Sequence, residues 1–149
     1  MLCQALVTDG GVVTVTDERE WATWDKDNVV YWRVLTYDTA LTTGDGLDYF
    51  YIPDGLDGLV LEDFDIAVHT VSSSGTPTVQ LHNVTDSQDM LSTVATIDAS
   101  ERTSYTATTA PVIDTDHDDV ATGDRLRIDV DVAGTGTKGL DVIMTFRKA

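Results

Sequence analysis

Cysteine, basic residues and long apolar segments are all scarce in this sequence. Cys3 is the single cysteine among 149 residues, so the chain can form neither an internal disulfide nor a cysteine-based metal site. The longest stretch without a charged residue covers residues 66–85, and Ser, Thr, Gly and His interrupt it, so we expect no membrane span. The first seven residues have neither a basic start nor a long apolar run, which predicts no secretory signal.

The shortage of basic residues is the strongest signal in the composition. Nine Lys and Arg stand against 26 Asp and Glu, which gives a formal net charge of −17 and a pI near 4.1. The phosphate backbone of a nucleic acid repels such a chain. The protein also has few Lys and Arg with which to displace the counterions of the nucleic acid, so we expect no nucleic-acid partner. Hydrophobic residues still make up 42% of the chain, which is enough for a packed core.

The same charge indicates a salt-rich environment. Self-repulsion of this size destabilises a folded chain in dilute buffer, whereas salt at about 1 M shortens the Debye length to about 3 Å and screens it. Only 3 Lys occur against 22 Asp, and Asp is short and well hydrated while Lys has a long apolar stem. We interpret the composition as halophilic, typical of a hypersaline or marine setting. The alternative is an acidic protein of ordinary salinity.

Alternation with a period of two dominates the hydrophobic pattern, and a helical period is nearly absent. In residues 124–132 the apolar side chains are Leu126, Ile128, Val130 and Val132, and every residue between them is Arg or Asp. Residues 140–146 and 64–68 repeat this pattern. One buried face and one wet face are typical of an antiparallel sheet.

Further strand candidates are rich in Val, Thr, Tyr and Trp, and clusters of Gly, Pro, Asp and Ser separate them. They are residues 11–16, 29–37, 49–52, 78–84, 91–97 and 104–109. Residues 85–90 are predicted to form a single helical turn capped by Asp86. Short strands at this spacing predict an all-β fold, an antiparallel two-sheet sandwich that is jelly-roll-like.

The chain divides into two parts on this pattern. Residues 1–25 are less strand-like and hold two of the three Trp, so we predict an extended N-terminal arm or first strand that makes assembly contacts. Residues 26–149 form the predicted β-sandwich domain.

Aromatic residues concentrate between positions 21 and 51. Such rings bury large areas at a subunit interface at low cost in entropy, or stack on sugar rings at a glycan-binding face. We favour the interface and assign it to Trp21, Trp24, Tyr31 and Trp32. A glycan-binding face is the alternative.

The acidic run at residues 114–119 is a candidate cation site. Asp114, Asp116 and Asp118 have the spacing of the first ligands of a calcium loop. The match ends at Asp119, where Gly is needed, and at Arg125, where a bidentate Glu is needed. A structural divalent cation held by the three Asp is one interpretation; the one we favour is a solvated, Asp-capped loop. We expect no other cofactor.

No spacing in the sequence indicates catalysis. With 22 Asp, pairs of carboxylates arise by chance and do not mark an acid–base site. The Gly-rich residues 134–139 lack the Lys-Ser or Lys-Thr ending of a phosphate loop. The three His are far apart in sequence and form no zinc-ligand pattern. We therefore predict no enzymatic activity and no catalytic residues.

A resemblance covers roughly the last two-thirds of the chain, residues 53–147. The segments that carry it are residues 79–86, 89–93, 96–98, 112–114, 118–124, 127–130 and 138–140. They resemble a family of small structural domains of tailed viruses. The resemblance implies a β-sandwich virion protein, of the kind found as capsid decoration, turret or tail-associated components, without a catalytic signature.

The resemblance and the composition together predict partners and location. The expected partners are other copies of this chain, in a trimer or pentamer, and the major capsid protein or another virion protein. The expected location is the virion, on the capsid surface rather than the tail, after assembly in the host cytoplasm. The salt argument adds a halophilic host, an archaeon. The alternative function is a receptor- or glycan-binding domain of a tail or fibre.

Overall fold

The computed structural model describes residues 6–7, 13–14 and 28–149. Its strands are, in chain order, β1 (Leu6–Val7), β2 (Val13–Thr14), β3 (Asn28–Ala40), β4 (Tyr49–Tyr51), β5 (Leu59–Ala67), β6 (Thr78–Asn83), β7 (Gln88–Asp89), β8 (Leu91–Thr93), β9 (Ala95–Thr96), β10 (Val112–Ile113), β11 (Asp119–Val120), β12 (Arg125–Val132) and β13 (Lys138–Lys148). Within these residues the helical elements are two short 3₁₀ turns, Asp54–Leu56 and Ser104–Thr106. The described part contains no helix that is long and apolar enough to cross a membrane.

Two antiparallel sheets make up most of the described structure. The first sheet has the strand order β11-β5-β13-β3, and the second has the order β4-β12-β6-β7 with β9 also paired to β6. β1 pairs with β2, and β8 pairs with β10, outside these sheets. The all-β, sandwich-like fold is thus confirmed. Its jelly-roll connectivity stays a prediction, and so does the boundary of the N-terminal arm, most of which lies outside the described residues.

Strand β13 explains why the two sheets pack together. Its alternate residues Leu140, Val142, Met144 and Phe146 are each at most 1% exposed, as the alternation predicted. Burying a side chain of this size stabilises a fold by about 1.5–3 kcal/mol. The second sheet adds alternate residues of β6 and β12 to the same core cluster, namely Val79, Leu81, Leu126, Ile128 and Val130.

The alternation of side chains along β3 places one of the predicted interface residues, Trp32, in the core. Trp32 pairs in register with Val142 of β13 and belongs to the core cluster, with 8% of its surface exposed. Its indole Nε1 donates a hydrogen bond to Asp48 Oδ2 at 2.9 Å, which satisfies the one polar atom of the buried ring. A side chain already buried in this way has little surface left for another subunit. Trp32 is therefore a core residue of the described structure, and its part in a subunit interface stays a prediction.

Asp129 departs from the predicted alternation of β12. The pattern places it on the wet face, yet it is only 6% exposed. Its Oδ1 accepts a hydrogen bond from the Gly46 amide at 2.7 Å, and its Oδ2 accepts one from Arg127 Nε at 3.0 Å. The loop before β4 thus covers Asp129, and an ion pair with hydrogen bonds compensates the buried charge.

Two local predictions fail because turns replace the expected elements. Residues 85–90 contain no helical turn, because β6 and β7 form a hairpin in which Asn83 pairs with Gln88. Ser87 takes a positive φ of 59° in that turn. Residues 104–109 are not a strand but begin with the 3₁₀ turn Ser104–Thr106. Ser104 is held there because its hydroxyl donates to Asp65 Oδ1 at 2.7 Å.

Two aspartates of the described structure have pKa values that move in opposite directions. Burial, reinforced by the charge of Asp63, raises the pKa of the Asp65 carboxyl above its ordinary value of 3.8. Hydrogen bonds from the Thr108 hydroxyl and amide lower the pKa of the Asp98 carboxyl. The ionised form is thus disfavoured at Asp65 and favoured at Asp98.

We predict opposite effects on stability for Asp65→Asn and Asp98→Asn. The stability linked to a raised carboxyl pKa is complete below the unfolded value and is lost as pH rises through the folded pKa. Asp65→Asn should therefore raise the free energy of unfolding at pH 7 and lose this advantage toward pH 4. The stability linked to Asp98 is present above the unfolded pKa and is lost as pH falls, so Asp98→Asn should be destabilising at pH 7. Urea unfolding from about pH 4 to about pH 7 measures both.

The two variants are matched, since each removes one negative charge from a chain of net charge −17. Any general relief of self-repulsion is therefore common to both. If both variants changed the free energy of unfolding at pH 7 by the same amount, the effect would come from net charge alone. That result would contradict the local causes given above.

Candidate functional site

The interface residues predicted from sequence fall into three groups: outside the described residues, buried in the core, and exposed. Trp21 and Trp24 lie outside the described residues. Trp32 faces the core, whereas its neighbour Tyr31 points outward with 59% of its surface exposed. Tyr31 is thus the one predicted interface residue for which the described structure shows an available side chain.

Tyr31 belongs to a row of outward side chains that crosses the first sheet. It pairs with Ile143 of β13, which in turn pairs with Asp65 of β5. The rows on either side bring Val29 next to Thr145 and Arg33 next to Asp141. We call this surface the first outer face; its residues are Val29, Tyr31, Arg33, Asp63, Asp65, Asp141, Ile143 and Thr145.

Charge is unevenly distributed over the first outer face. On the β3 side, Arg33 Nε donates to Asp141 Oδ1 at 2.9 Å, so the two charges compensate each other. On the β5 side, burial and the nearby charge of Asp63 raise the pKa of the Asp65 carboxyl. Burial, together with these two charges, also raises the pKa of the nearby Tyr105 phenol. The β3 side is therefore apolar and locally neutral, while the β5 side is acidic.

A second set of side chains faces outward from the other sheet. In register across this sheet, Tyr51 of β4 pairs with Arg125 of β12, and Tyr49 pairs with Arg127. His82 of β6 is the partner of Arg127 on its other side. We call this surface the second outer face; its residues are Tyr49, Tyr51, Gln80, His82, Arg125 and Arg127. Tyr51 is 62% exposed and Tyr49 is 42% exposed.

Most basic side chains on the second outer face have carboxylate partners. Both Nε and Nη2 of Arg127 lie 3.0 Å from Asp129 Oδ2, and Asp45 is 3.8 Å away. His82 Nδ1 lies 2.6 Å from Asp89 Oδ1. Arg125 differs, because its guanidinium carbon stands 4.3 Å from the centre of the Tyr49 ring. Among residues 28–149, no carboxylate lies within ion-pair distance of Arg125.

The candidate cation loop is held by its own backbone. Asp114 Oδ1 accepts a hydrogen bond from the Asp116 amide at 3.1 Å. Burial and the neighbouring charges of Asp119 and Asp114 raise the pKa of the Asp118 carboxyl. In the part of the chain that the structure describes, no three His, Cys, Asp or Glu side chains form a group that could hold a metal ion. A cation bound by Asp114, Asp116 and Asp118 stays a prediction.

A small polar cavity of about 150 Å³ lies beside this loop. It is lined by Asn83, Asp86, Gln88, His117 and Asp119. The Asn83 amide nitrogen donates to Asp86 Oδ2 at 2.7 Å, so part of the lining is already engaged. The remaining groups show no arrangement of nucleophile and base that would indicate catalysis.

The sequence pattern did not predict the contact between Arg125 and Tyr49. The alternation of β12 correctly places Arg125 and Arg127 on the polar side, but it does not identify their neighbours. The contact of Arg125 with Tyr49 depends on β4 pairing with β12, and no local pattern reports that pairing.

The chain matches no protein-family model, no curated protein and no solved structure. The resemblance to structural domains of tailed viruses thus stays a prediction. The chemistry of the two outer faces is the remaining guide to function.

Proposed function

We propose that this protein is a non-enzymatic structural subunit of a virus particle. In this proposal it is a capsid decoration or turret protein that binds the shell and copies of itself on the capsid surface. The sequence resemblance supports the viral role, and the first outer face supports self-association. The observation that carries the proposal is the pair of exposed side chains Val29 and Tyr31 on β3, beside the half-buried Ile143 of β13.

The composition of the first outer face suits a subunit contact. Interfaces are enriched in aromatic residues and Arg, and their centres are poor in uncompensated charge. Val29 and Tyr31 are 61% and 59% exposed, and the Arg33–Asp141 pair beside them is locally neutral. Large exposed apolar side chains that adjoin in this way commonly mark a contact surface.

Electrostatics restrict which part of this face can meet another copy. Two chains of net charge −17 repel one another in dilute buffer, and Asp63 and Asp65 would add to that repulsion at close range. The β3 side of the face avoids both carboxylates. A contact centred on Tyr31 should therefore form more readily as added salt screens the overall repulsion.

Tyr31→Ser should weaken self-association without lowering the stability of the fold. Truncating an aromatic residue at the centre of an interface costs about 2 kcal/mol, which is roughly a 30-fold weaker association. Sedimentation velocity over a concentration series measures the association, and urea unfolding measures the fold.

Two variants on the same strand serve as controls. Tyr37→Ser removes an equally exposed Tyr, 57% exposed, outside the first outer face, and should leave the association unchanged. Trp32→Phe removes the hydrogen bond to Asp48 and should lower the free energy of unfolding by about 1–2 kcal/mol while the assembly persists. If Tyr31→Ser and Tyr37→Ser had equal effects, the assignment of the contact to this face would be wrong.

The number of copies per virion tests the proposed position in the particle. A capsid decoration or turret protein should be present in tens to hundreds of symmetry-related copies, visible by cryo-electron microscopy of the purified virion. A handful of copies confined to the tail would exclude the capsid role and favour the alternative below.

Salt dependence tests the proposed halophilic origin. The melting temperature should rise when KCl is increased from low concentration to about 1 M and above, because the Debye length contracts to about 3 Å and the self-repulsion of the acidic surface is screened. A melting temperature that falls with added KCl would instead favour an acidic protein of ordinary salinity.

The second candidate function is a receptor- or glycan-binding domain of a tail or fibre. One observation favours it, namely the two exposed tyrosines of β4 on the second outer face. This surface belongs to the opposite sheet from the proposed subunit contact, so the two functions do not compete for the same residues.

A further inference from the structure

Arg125 is one of two Arg in residues 28–149 without a carboxylate at ion-pair distance; the other, Arg102, donates to the His69 carbonyl instead. Six Arg and three Lys serve a chain with 26 carboxylates, so a cation should readily find an acidic partner. Arg127, Arg33 and Arg147 each have one within ion-pair distance. Arg125 is instead placed against the Tyr49 ring, and the described residues supply no carboxylate to it.

Burial of Nε and contact with an aromatic ring restrain the side chain of Arg125. Its Nε is buried and has no hydrogen-bond partner among the described residues, so only the terminal nitrogens are left to meet a ligand. The Tyr49 ring, 4.3 Å away, holds the planar guanidinium through a cation–π contact. An Arg fork held in this manner matches the two oxygens of a carboxylate.

The support for Tyr49 continues into the core. Gly46 lies directly against the ring, because a Cβ placed at Gly46 would stand 2.5 Å from the Tyr49 hydroxyl oxygen. The Gly46 amide donates to the buried Asp129 carboxylate at 2.7 Å. Asp129 thus anchors the loop that carries Gly46, the loop packs on Tyr49, and Tyr49 positions Arg125. Such prior ordering lowers the entropy cost of binding a ligand.

Tyr51 completes the surface beside this cation. It pairs across the strands with Arg125 and is 62% exposed. Tyr49 and Tyr51 point to the same side of β4, about 7 Å apart along the strand. That distance suits adjacent rings of a saccharide, for which an exposed phenol offers an apolar face and a hydroxyl.

We propose that Arg125, Tyr49 and Tyr51 bind a saccharide that carries a single carboxylate, such as a terminal uronic acid. The guanidinium receives the carboxylate, and the exposed Tyr51 ring packs against the sugar. A net charge of −17 repels a polyanion, so a ligand with one carboxylate on an otherwise neutral saccharide fits better than an acidic polymer or peptide. The inference gives a ligand chemistry to the second candidate function and does not depend on self-association through the first outer face.

A matched pair of small ligands tests the inference on the whole chain. Methyl β-D-glucuronide and methyl β-D-glucoside differ only at C6, which is a carboxylate in the first and a hydroxymethyl group in the second. NMR titration in about 0.15 M salt measures their weak affinities. We expect a Kd on the order of 1 mM for the glucuronide and at least tenfold weaker binding for the glucoside. Acetate and a short poly-Glu peptide test whether a carboxylate alone, or an acidic peptide, is sufficient. We expect both to bind at least tenfold more weakly than the glucuronide.

Protein variants locate the site. Arg125→Gln should weaken glucuronide binding at least tenfold, and Arg125→Lys, which keeps the charge without the fork, should fall between it and the unaltered protein. Tyr51→Ala should weaken binding to both sugars. Arg147→Gln is the matched control, because it removes one Arg of the opposite sheet that lies outside both outer faces, and it should leave the Kd unchanged.

Several results would overturn the proposal. Equal binding of glucuronide and glucoside to the unaltered protein would remove the role of the carboxylate, and this comparison needs no variant to fold. Equal glucuronide binding by Arg125→Gln and the unaltered protein would show that Arg125 does not contact the ligand. Binding of acetate or poly-Glu as tight as that of glucuronide would replace the saccharide by a simple anion or an acidic peptide. Loss of oligomers in Arg125→Gln, without sugar binding by the unaltered protein, would identify a subunit contact instead.

Discussion

The inward face of β13 is the constraint on which the rest of the structure depends. Four alternate residues of this strand are completely buried, and β13 pairs with β3 on one side and β5 on the other. Because side chains alternate along a strand, fixing the inward set also fixes the outward set on all three strands. The same packing that buries Trp32 therefore exposes Tyr31 and aligns it with Ile143. The composition of the first outer face is in this sense a by-product of the core.

Scarcity of positive charge shapes the surface as strongly as apolar burial shapes the interior. In a chain with so few cations, each placement of an Arg has a visible consequence. Arg127 allows Asp129 to be buried, and Arg33 compensates the charge of Asp141 on the β3 side of the first outer face. Arg125 has neither role among the described residues. Its contact with the Tyr49 ring restrains the guanidinium without neutralising it. The positive charge is therefore left for the ligand proposed above.

The fold class was readable from the sequence because its signal is local. In β13 and β12 the alternation of apolar residues needs no knowledge of the neighbouring strands, and residues such as Val142 and Ile128 lie in the core as predicted. Asp129 was misplaced because its burial depends on a loop from another part of the chain. The burial of Trp32 was not predicted, because an aromatic cluster in sequence does not say which of two adjacent residues points inward. The pairing of Arg125 with Tyr49 likewise arises only when distant strands meet.

The two outer faces belong to opposite sheets, and such sheets lie about 10 Å apart in a sandwich. One copy can thus engage a neighbour on one side while the other side stays open to solvent. In an assembly formed through the first face, each copy would carry its second face on the outside, pointing away from the contact. Many such copies on one particle would gain avidity wherever several reach the same surface, because linked sites raise the effective concentration of each for the next. A modest site on one small domain would suffice for firm attachment to a surface crowded with ligand.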